Sequence, residues 1–312
     1  MKAAFIFPGQ GAQKTGMGKD LHEAFPAARS VFDRAEAACG LPLRKLCFEG
    51  PDEVLAPTDV SQPAIFTVSA AALAVMDDLL GPAKMPKPAC MAGLSLGEYT
   101  ALYAAGAMDL ETGVRLVARR GKAMREAAAA VPSGMVSIIG LDEAKAQELC
   151  RAAAEGQVLV CANFNCPGQI VLSGHLDACR RAADRAAEFG ASGAVPLQVA
   201  GAFHSQIMQP AAEALGQALD QASFSAPGVP VLANVDAAPY DGAASIKAKL
   251  VAQLTSSVRW QQCCEYLLRQ GVETFYEIGP GRVLAGLMRR IDRKANVACL
   301  NGCEAIEKLA QV

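Results

Sequence analysis

The chain has 312 residues, enough to bury a sizeable core in one large domain or in a large domain carrying a smaller insert. Its composition, 52% hydrophobic and 19% charged, is that of a globular protein and excludes a disordered or fibrous one. Lys plus Arg total 29 against 31 Asp plus Glu, so no global field exists to hold a nucleic acid or an anionic membrane surface, and an anionic ligand must be met locally.

The amino terminus runs from Met1 to Phe7 as a first strand and reaches Pro8-Gly9 before a signal-peptide apolar region develops. No stretch reaches about 18 uninterrupted apolar residues, the length a transmembrane helix needs. Eleven scattered cysteines lack the paired spacing of metal sites, and the adjacent Cys263-Cys264 is a poor chelate. With this many free thiols, a reducing cytosol is the expected compartment.

After the first strand, Phe7 to Gln13 carries two glycines and no β-branched residue, a loop able to bring backbone N–H groups close to a ligand. It lacks the terminal Gly-Lys-Ser/Thr of a phosphate loop, and a plain glycine turn explains it equally well. Further apolar runs at Met85 to Ala92 and Val229 to Val235, each followed by a turn or helix signal, predict more strands of an α/β layout with a mainly parallel sheet.

Gly93-Leu94-Ser95-Leu96-Gly97 lies between the second of these strands and the helix-forming run from Glu98 to Leu102. This is G-x-S-x-G in the strand-to-helix context where it has a mechanical meaning: the turn is so tight that side chains two residues either side of the serine collide, and glycine removes them. Ser95 then sits at a helix amino terminus, where backbone N–H groups favour developing negative charge. Leu96, next after the nucleophile, supplies one backbone N–H to an oxyanion, and Gln10 in the first loop is the natural second donor.

In Val114 to Met124, an otherwise apolar helical stretch, a rotation of about 100° per residue sets Arg120 near the face of Leu116, Val117 and Met124, and Arg119 on the side of Arg115. One arginine therefore points inward. A buried guanidinium needs a partner, and the candidates are a carboxylate of the chain itself or a bidentate ligand carboxylate.

From about Gly134 to Val199 the rhythm changes: strand (135–139), helix (143–154), strand (158–162), strand (169–172), helix (176–189), strand (194–199). Asp142 caps the first helix, Cys166-Pro167-Gly168 makes the hairpin and Gly190 closes the second helix. This βαββαβ order is ferredoxin-like, and because strands and helices resume after Pro210 it reads as a small domain inserted into the larger one, with a substrate cleft between them.

A serine hydroxyl needs a base, usually histidine, and the chain has three. His22 lies in an exposed helical stretch and His175 opens a helix of the insert. His204, in Ala200 to Ser205 where the chain returns toward the cleft, is the candidate base. No neighbouring carboxylate completes a triad, and a backbone carbonyl can do that orienting work.

Phe7 to Gln13, Gly93 to Leu102, Arg120-Gly121-Lys122 and Phe203-His204-Ser205, with Ser61-Gln62-Pro63-Ala64, Asn163 to Gln169, Ala233-Asn234-Val235-Asp236 and Glu277 to Gly281, form an ordered set spanning the chain. On these motifs the sequence resembles the bacterial malonyl-CoA:acyl carrier protein transacylase family. The resemblance implies a large α/β-hydrolase-like domain at 1–130 and 200–312 with a nucleophile elbow and a ferredoxin-like insert at 131–199. It implies Ser95 as the acylated residue, His204 as base, Gln10 and Leu96 as oxyanion donors, and Arg120 as clamp on the malonyl carboxylate. It further implies the Gln253 backbone carbonyl as orienter of the histidine and Phe203 as an aromatic of malonyl-selective relatives. The expected reaction is S-malonyl transfer in fatty acid synthesis, with malonyl-CoA and holo acyl carrier protein as partners, and no metal or cofactor beyond the coenzyme A thioester substrate. The alternatives are an acyltransferase of a polyketide assembly line and a serine thioesterase or esterase. In one departure Leu94 stands where many family members carry His, which bears on pocket shape and coenzyme A contacts. The basic run Arg289 to Lys294 is either a solvated helix face or a surface for an acidic carrier.

Overall fold

A strand that is apolar on both faces must be covered on both, and β1 (Lys2–Phe7) is: Phe5 and Phe7 enter one core while Ala4 and Ile6 enter another. The computed structural model describes residues 2–311, so Met1, the first residue of the expected strand, lies outside the described residues. The chain continues through α1 (Lys19–Ala24), α2 (Pro26–Cys39), α3 (Leu43–Glu49), α4 (Asp52–Leu55) and α5 (Thr58–Lys84), whose last turn is broken at Gly81. Next come β2 (Pro88–Gly93), α6 (Gly97–Ala104) and α7 (Leu110–Ala130).

The different rhythm seen in the sequence is a second sheet: β3 (Ser133–Ile139), α8 (Glu143–Ala154), β4 (Leu159–Cys166), β5 (Gln169–His175), α9 (Leu176–Arg185) and β6 (Gly193–Pro196). Its antiparallel order β4-β5-β3-β6 is the ferredoxin-like one, and it has its own core between α8, α9 and the strands. The expected caps are in place, with Asp142 accepting from the Lys145 N–H at 2.9 Å and Gly190 in the left-handed conformation.

The chain then returns through α10 (Gln209–Asp220), α11 (Ala244–Gln253), α12 (Trp260–Arg269), β7 (Val272–Ile278), α13 (Val283–Ile291), β8 (Asn296–Leu300) and α14 (Cys303–Ala310). The first sheet runs β2-β1-β7-β8, parallel throughout. The strand expected at Val229 to Val235 is corrected to two hydrogen bonds beside β2, from Met91 N–H to the Pro230 carbonyl and from Leu232 N–H to the Met91 carbonyl. Pro230 has no N–H to give, and from Ala233 the chain turns so that its N–H meets the Ala238 carbonyl.

By length and composition α5 passes for a membrane span, yet 67% of its most apolar window is buried inside the protein. It is the central core helix, packed against α2 and α7. The close approach of α7 depends on Gly121, where a Cβ would stand 2.5 Å from the Thr58 carbonyl oxygen and 2.9 Å from the Asp59 Cα. Gly121→Ala should therefore lower stability in urea unfolding by about 1–3 kcal/mol, as overpacking does. Unchanged stability would mean that the two helices can separate freely.

Candidate active site

The elbow works as the spacing requires. A Cβ on Gly93 would fall 1.9 Å from the Gly97 carbonyl group, and one on Gly97 would fall 2.1 Å from the Phe7 carbonyl oxygen. Between them Ser95 adopts φ 51°, a left-handed conformation disfavoured for serine, which aims Oγ away from the sheet at the start of α6. The Asn234 side chain holds this turn: its Oδ1 accepts the Ser95 N–H at 2.7 Å while its Nδ2 donates to the Gly93 carbonyl at 2.8 Å.

The loop after β1 lies against the elbow. Gly9 lets it do so, since a Cβ there would meet the Leu94 carbonyl oxygen at 2.3 Å. Gln10 and Leu96 both line the cleft beside Ser95, and among the described residues neither backbone N–H has a protein acceptor. The Gln10 side chain is tied back to the Thr58 hydroxyl at 3.2 Å.

His204 comes from the return segment and meets the nucleophile with Nε2 2.8 Å from Ser95 Oγ. It too is left-handed, at φ 58°, and its loop is pinned by Ser205 Oγ on the Ala202 carbonyl and Ser173 Oγ of β5 on the Phe203 carbonyl. Nδ1 lies 2.7 Å from the Gln253 backbone carbonyl, so Nδ1 carries the proton and Nε2 is free to accept one. Burial and then the Arg120 charge pull the imidazole pKa from its ordinary 6.5 down to about 4, so the resting ring is neutral.

Arg120 is the inward arginine, 1% exposed. Its Nη1 donates to Gln62 Oε1 at 2.8 Å, and its Nη2 to Gln253 Oε1 at 2.8 Å and to Ser95 Oγ at 3.0 Å. Nε has no partner, and no carboxylate of the chain pairs with the guanidinium among the described residues. Of the two partners open from sequence, a carboxylate of the chain itself is not found among the described residues. Burial lowers the arginine pKa, and the nearby charge of Glu98 opposes that shift.

Ser95, His204, Arg120, Gln10, Leu96 and Phe203 all line one cleft of about 400 Å³ between the two sheets, with Gln253 behind the histidine. Leu94 lines it as well, half-buried. His175 lies elsewhere, accepting the Val158 N–H at 3.0 Å. His22, expected to be exposed, is corrected to half-buried: its ring packs 5.7 Å from Phe32 and 5.2 Å from Phe48, because α1 folds back on α2 and α3. In the basic run Arg289 and Arg290 are exposed, and Arg290 also ties α13 to the insert's hairpin at Gln169 and Pro167.

Sequence reasoning missed three residues. Gln62 and Asn234 sat in motifs quoted without a role, and Glu98 was only part of a helix-forming run. Glu98 is fully buried and accepts from Gln253 Nε2 at 2.6 Å, the Asn234 N–H at 3.0 Å and the Tyr240 hydroxyl. Burial pushes its pKa up to about 7 against these three donors.

Such a site defines a serine acyltransferase or hydrolase. A model of the acyl transferase domain matches residues 4–302, and the chain belongs to that family. The malonyl CoA-acyl carrier protein transacylase of Bacillus subtilis is 43% identical over 99% of this chain and 96% of its own. The solved transacylase of Coxiella burnetii is 40% identical, with a TM-score of 0.95 over 100% of this chain and 97% of its own. A malonyl-transacylase solved in complex with its type II polyketide acyl carrier protein is likewise 40% identical, with a TM-score of 0.93 over 100% and 99% of the two chains.

The depressed His204 pKa makes a stability prediction. Between pH 6.5 and about 4 the unfolded chain binds a proton there that the folded chain does not, so stability falls as pH drops through that window, by on the order of 3 kcal/mol. Glu98, with its pKa raised, contributes with the opposite sign between its ordinary 4.5 and about 7. The difference between wild type and His204→Gln isolates the histidine. In urea unfolding across this range the wild type should lose about 3 kcal/mol more than the variant, and equal pH slopes would contradict a buried neutral imidazole.

Proposed function

We propose that the chain transfers malonyl from malonyl-CoA to the phosphopantetheine thiol of acyl carrier protein, through an acyl-serine intermediate, in fatty acid synthesis. The observation that carries this is Ser95 Oγ held between a neutral His204 at 2.8 Å and a buried Arg120 at 3.0 Å that pairs with no carboxylate among the described residues. A plain esterase has no need of a cation in its acyl pocket. A carboxylate-bearing acyl group does.

Ser95 Oγ attacks the thioester carbonyl carbon while His204 Nε2 takes its proton, and the carbonyl oxygen becomes an oxyanion received by the backbone N–H groups of Gln10 and Leu96. The Gln253 carbonyl keeps the imidazolium oriented. Collapse breaks the carbon–sulfur bond, and coenzyme A leaves as the thiol with the proton from His204. The carrier's thiol then gives its proton to His204, attacks the acyl-serine ester and expels Ser95, which regains a proton. The cycle is ping-pong. Phe203, on the cleft wall next to the base, limits the acyl pocket beside the malonyl carbons.

The catalytic unit on this reading is 1–130 with 200–312, and 131–199 is the insert that completes the cleft. Eleven free cysteines, most of them buried, suit a reducing cytosol as the site of action. Similarity to a transacylase bound to a polyketide carrier favours one second reading, a discrete acyltransferase of an assembly line, with the same residues in the same roles.

Mixing with malonyl-CoA alone should give a malonyl adduct mapping to Ser95 by intact mass and peptide analysis, and adding holo acyl carrier protein should move it to the carrier. Ser95→Ala should give no adduct. An adduct lost to water equally fast without the carrier would make the protein a thioesterase, and transfer only to a polyketide carrier would select the second reading.

A further inference from the structure

Glu98 makes none of its hydrogen bonds to Ser95 or His204, yet it binds the two residues that orient them. Its Oε2 accepts from the Gln253 side-chain amide at 2.6 Å and from the Asn234 N–H at 3.0 Å. Gln253 in turn presents its backbone carbonyl to His204 Nδ1, and its amide also donates to the Ser95 carbonyl at 3.0 Å. Asn234 presents its Oδ1 to the Ser95 N–H. The base and the strained nucleophile turn are thus tied to one carboxylate.

A fully buried carboxylate is a poor choice where only packing is required, since an apolar side chain of similar size is usually as stable or more so. Here the group is arranged as part of a charge pair bridged by an amide. Gln253 turns its Oε1 to Arg120 at 2.8 Å and its Nε2 to Glu98, so the cation and the anion together fix which way the amide faces. When His204 takes the serine proton, a second positive charge forms beside Arg120. The Glu98 carboxylate, one amide away, offsets it.

We infer that Glu98 is a positioning residue for acyl transfer: acting through Gln253 and Asn234, it keeps His204 and Ser95 in hydrogen-bond register and balances the positive charge of the loaded site. The inference rests on the functional reading above, in which Ser95 is acylated with His204 as base. The Gln253 carbonyl holds the histidine directly, and Glu98 acts one residue behind it.

Glu98→Gln keeps the shape and one oxygen but removes the charge. Single-turnover acylation by malonyl-CoA, followed by rapid quench and intact mass, should slow about 10- to 100-fold while half-saturation stays within about twofold of wild type. A folded variant that acylates at the wild-type rate overturns the inference. Tyr240→Phe leaves the carboxylate in place and removes one of its donors, so the carboxyl should take up its proton at higher pH and the acid limb of the acylation rate should move upward. The ionisable groups facing Glu98 are Tyr240, Arg120 from α7, Tyr99 on its own helix and Cys263 from α12, and only the first is altered. An unmoved limb overturns the inference even where Glu98→Gln fails to fold. The wild-type adduct separates the two levels: its absence removes the functional reading, whereas a normal adduct with unaffected variants removes only the role of Glu98.

Discussion

A guanidinium with 1% exposure and no carboxylate partner among the described residues is the constraint around which the rest of the molecule is arranged. Placing such a charge in the interior is costly, and removing water from it costs more than neutral amides return. The chain meets that cost locally. Gln62 from α5 and Gln253 from α11 each accept from one terminal nitrogen, Tyr99 lies under the plane with its ring centroid 5.5 Å away, and Glu98 supplies a negative charge behind Gln253. The nitrogen bonded to Gln253 also reaches Ser95 Oγ at 3.0 Å, and Nε is left without a partner. On the proposed reading, a cation kept dry and short of one anion beside Ser95 receives a substrate that brings the anion with it.

The same arrangement explains the two strained residues. Ser95 and His204 both occupy the left-handed region, where a non-glycine residue costs on the order of 1 kcal/mol or more. Each is held from elsewhere in the chain: Ser95 by Asn234, and His204 by Ser173 on its loop and Gln253 on its ring, with Ser205 closing the loop internally. The insert therefore supports the loop of His204 as well as the cleft wall, because Ser173 on an inner strand donates to the carbonyl just before that residue. On the proposed reading, strain at Ser95 and His204 and rigid support behind them are two aspects of one preorganised site.

Local signals made much of this legible in the sequence. Helix α8 spans Glu143–Ala154 as expected because Asp142 caps it, and the elbow was readable because only glycine survives at positions 93 and 97. Helix periodicity was enough to turn Arg120 inward. What pairs across long separations was not readable. The Asn234 N–H and the Glu98 carboxylate are 136 residues apart, and nothing in Gly97-Glu98-Tyr99 distinguishes a buried acceptor from a favourable first-turn acid. The Gln253 carbonyl came from resemblance alone, since a backbone group leaves no mark on residue type. The run from Val229 to Val235 misled for a related reason: β-forming residues specify extended chain, but Pro230 and the turn at Ala233 left room for only two bonds to β2 among the described residues.

The most direct test of a guanidinium reserved for substrate is calorimetric titration of Ser95→Ala, which cannot be acylated, with malonyl-CoA and with acetyl-CoA. The two ligands differ only in the carboxylate. A charge-assisted hydrogen bond in a dry site contributes about 1.5–3 kcal/mol, so malonyl-CoA should bind about 10- to 100-fold more tightly. Equal affinities would contradict the pairing of Arg120 with the malonyl carboxylate and leave its burial without a chemical purpose.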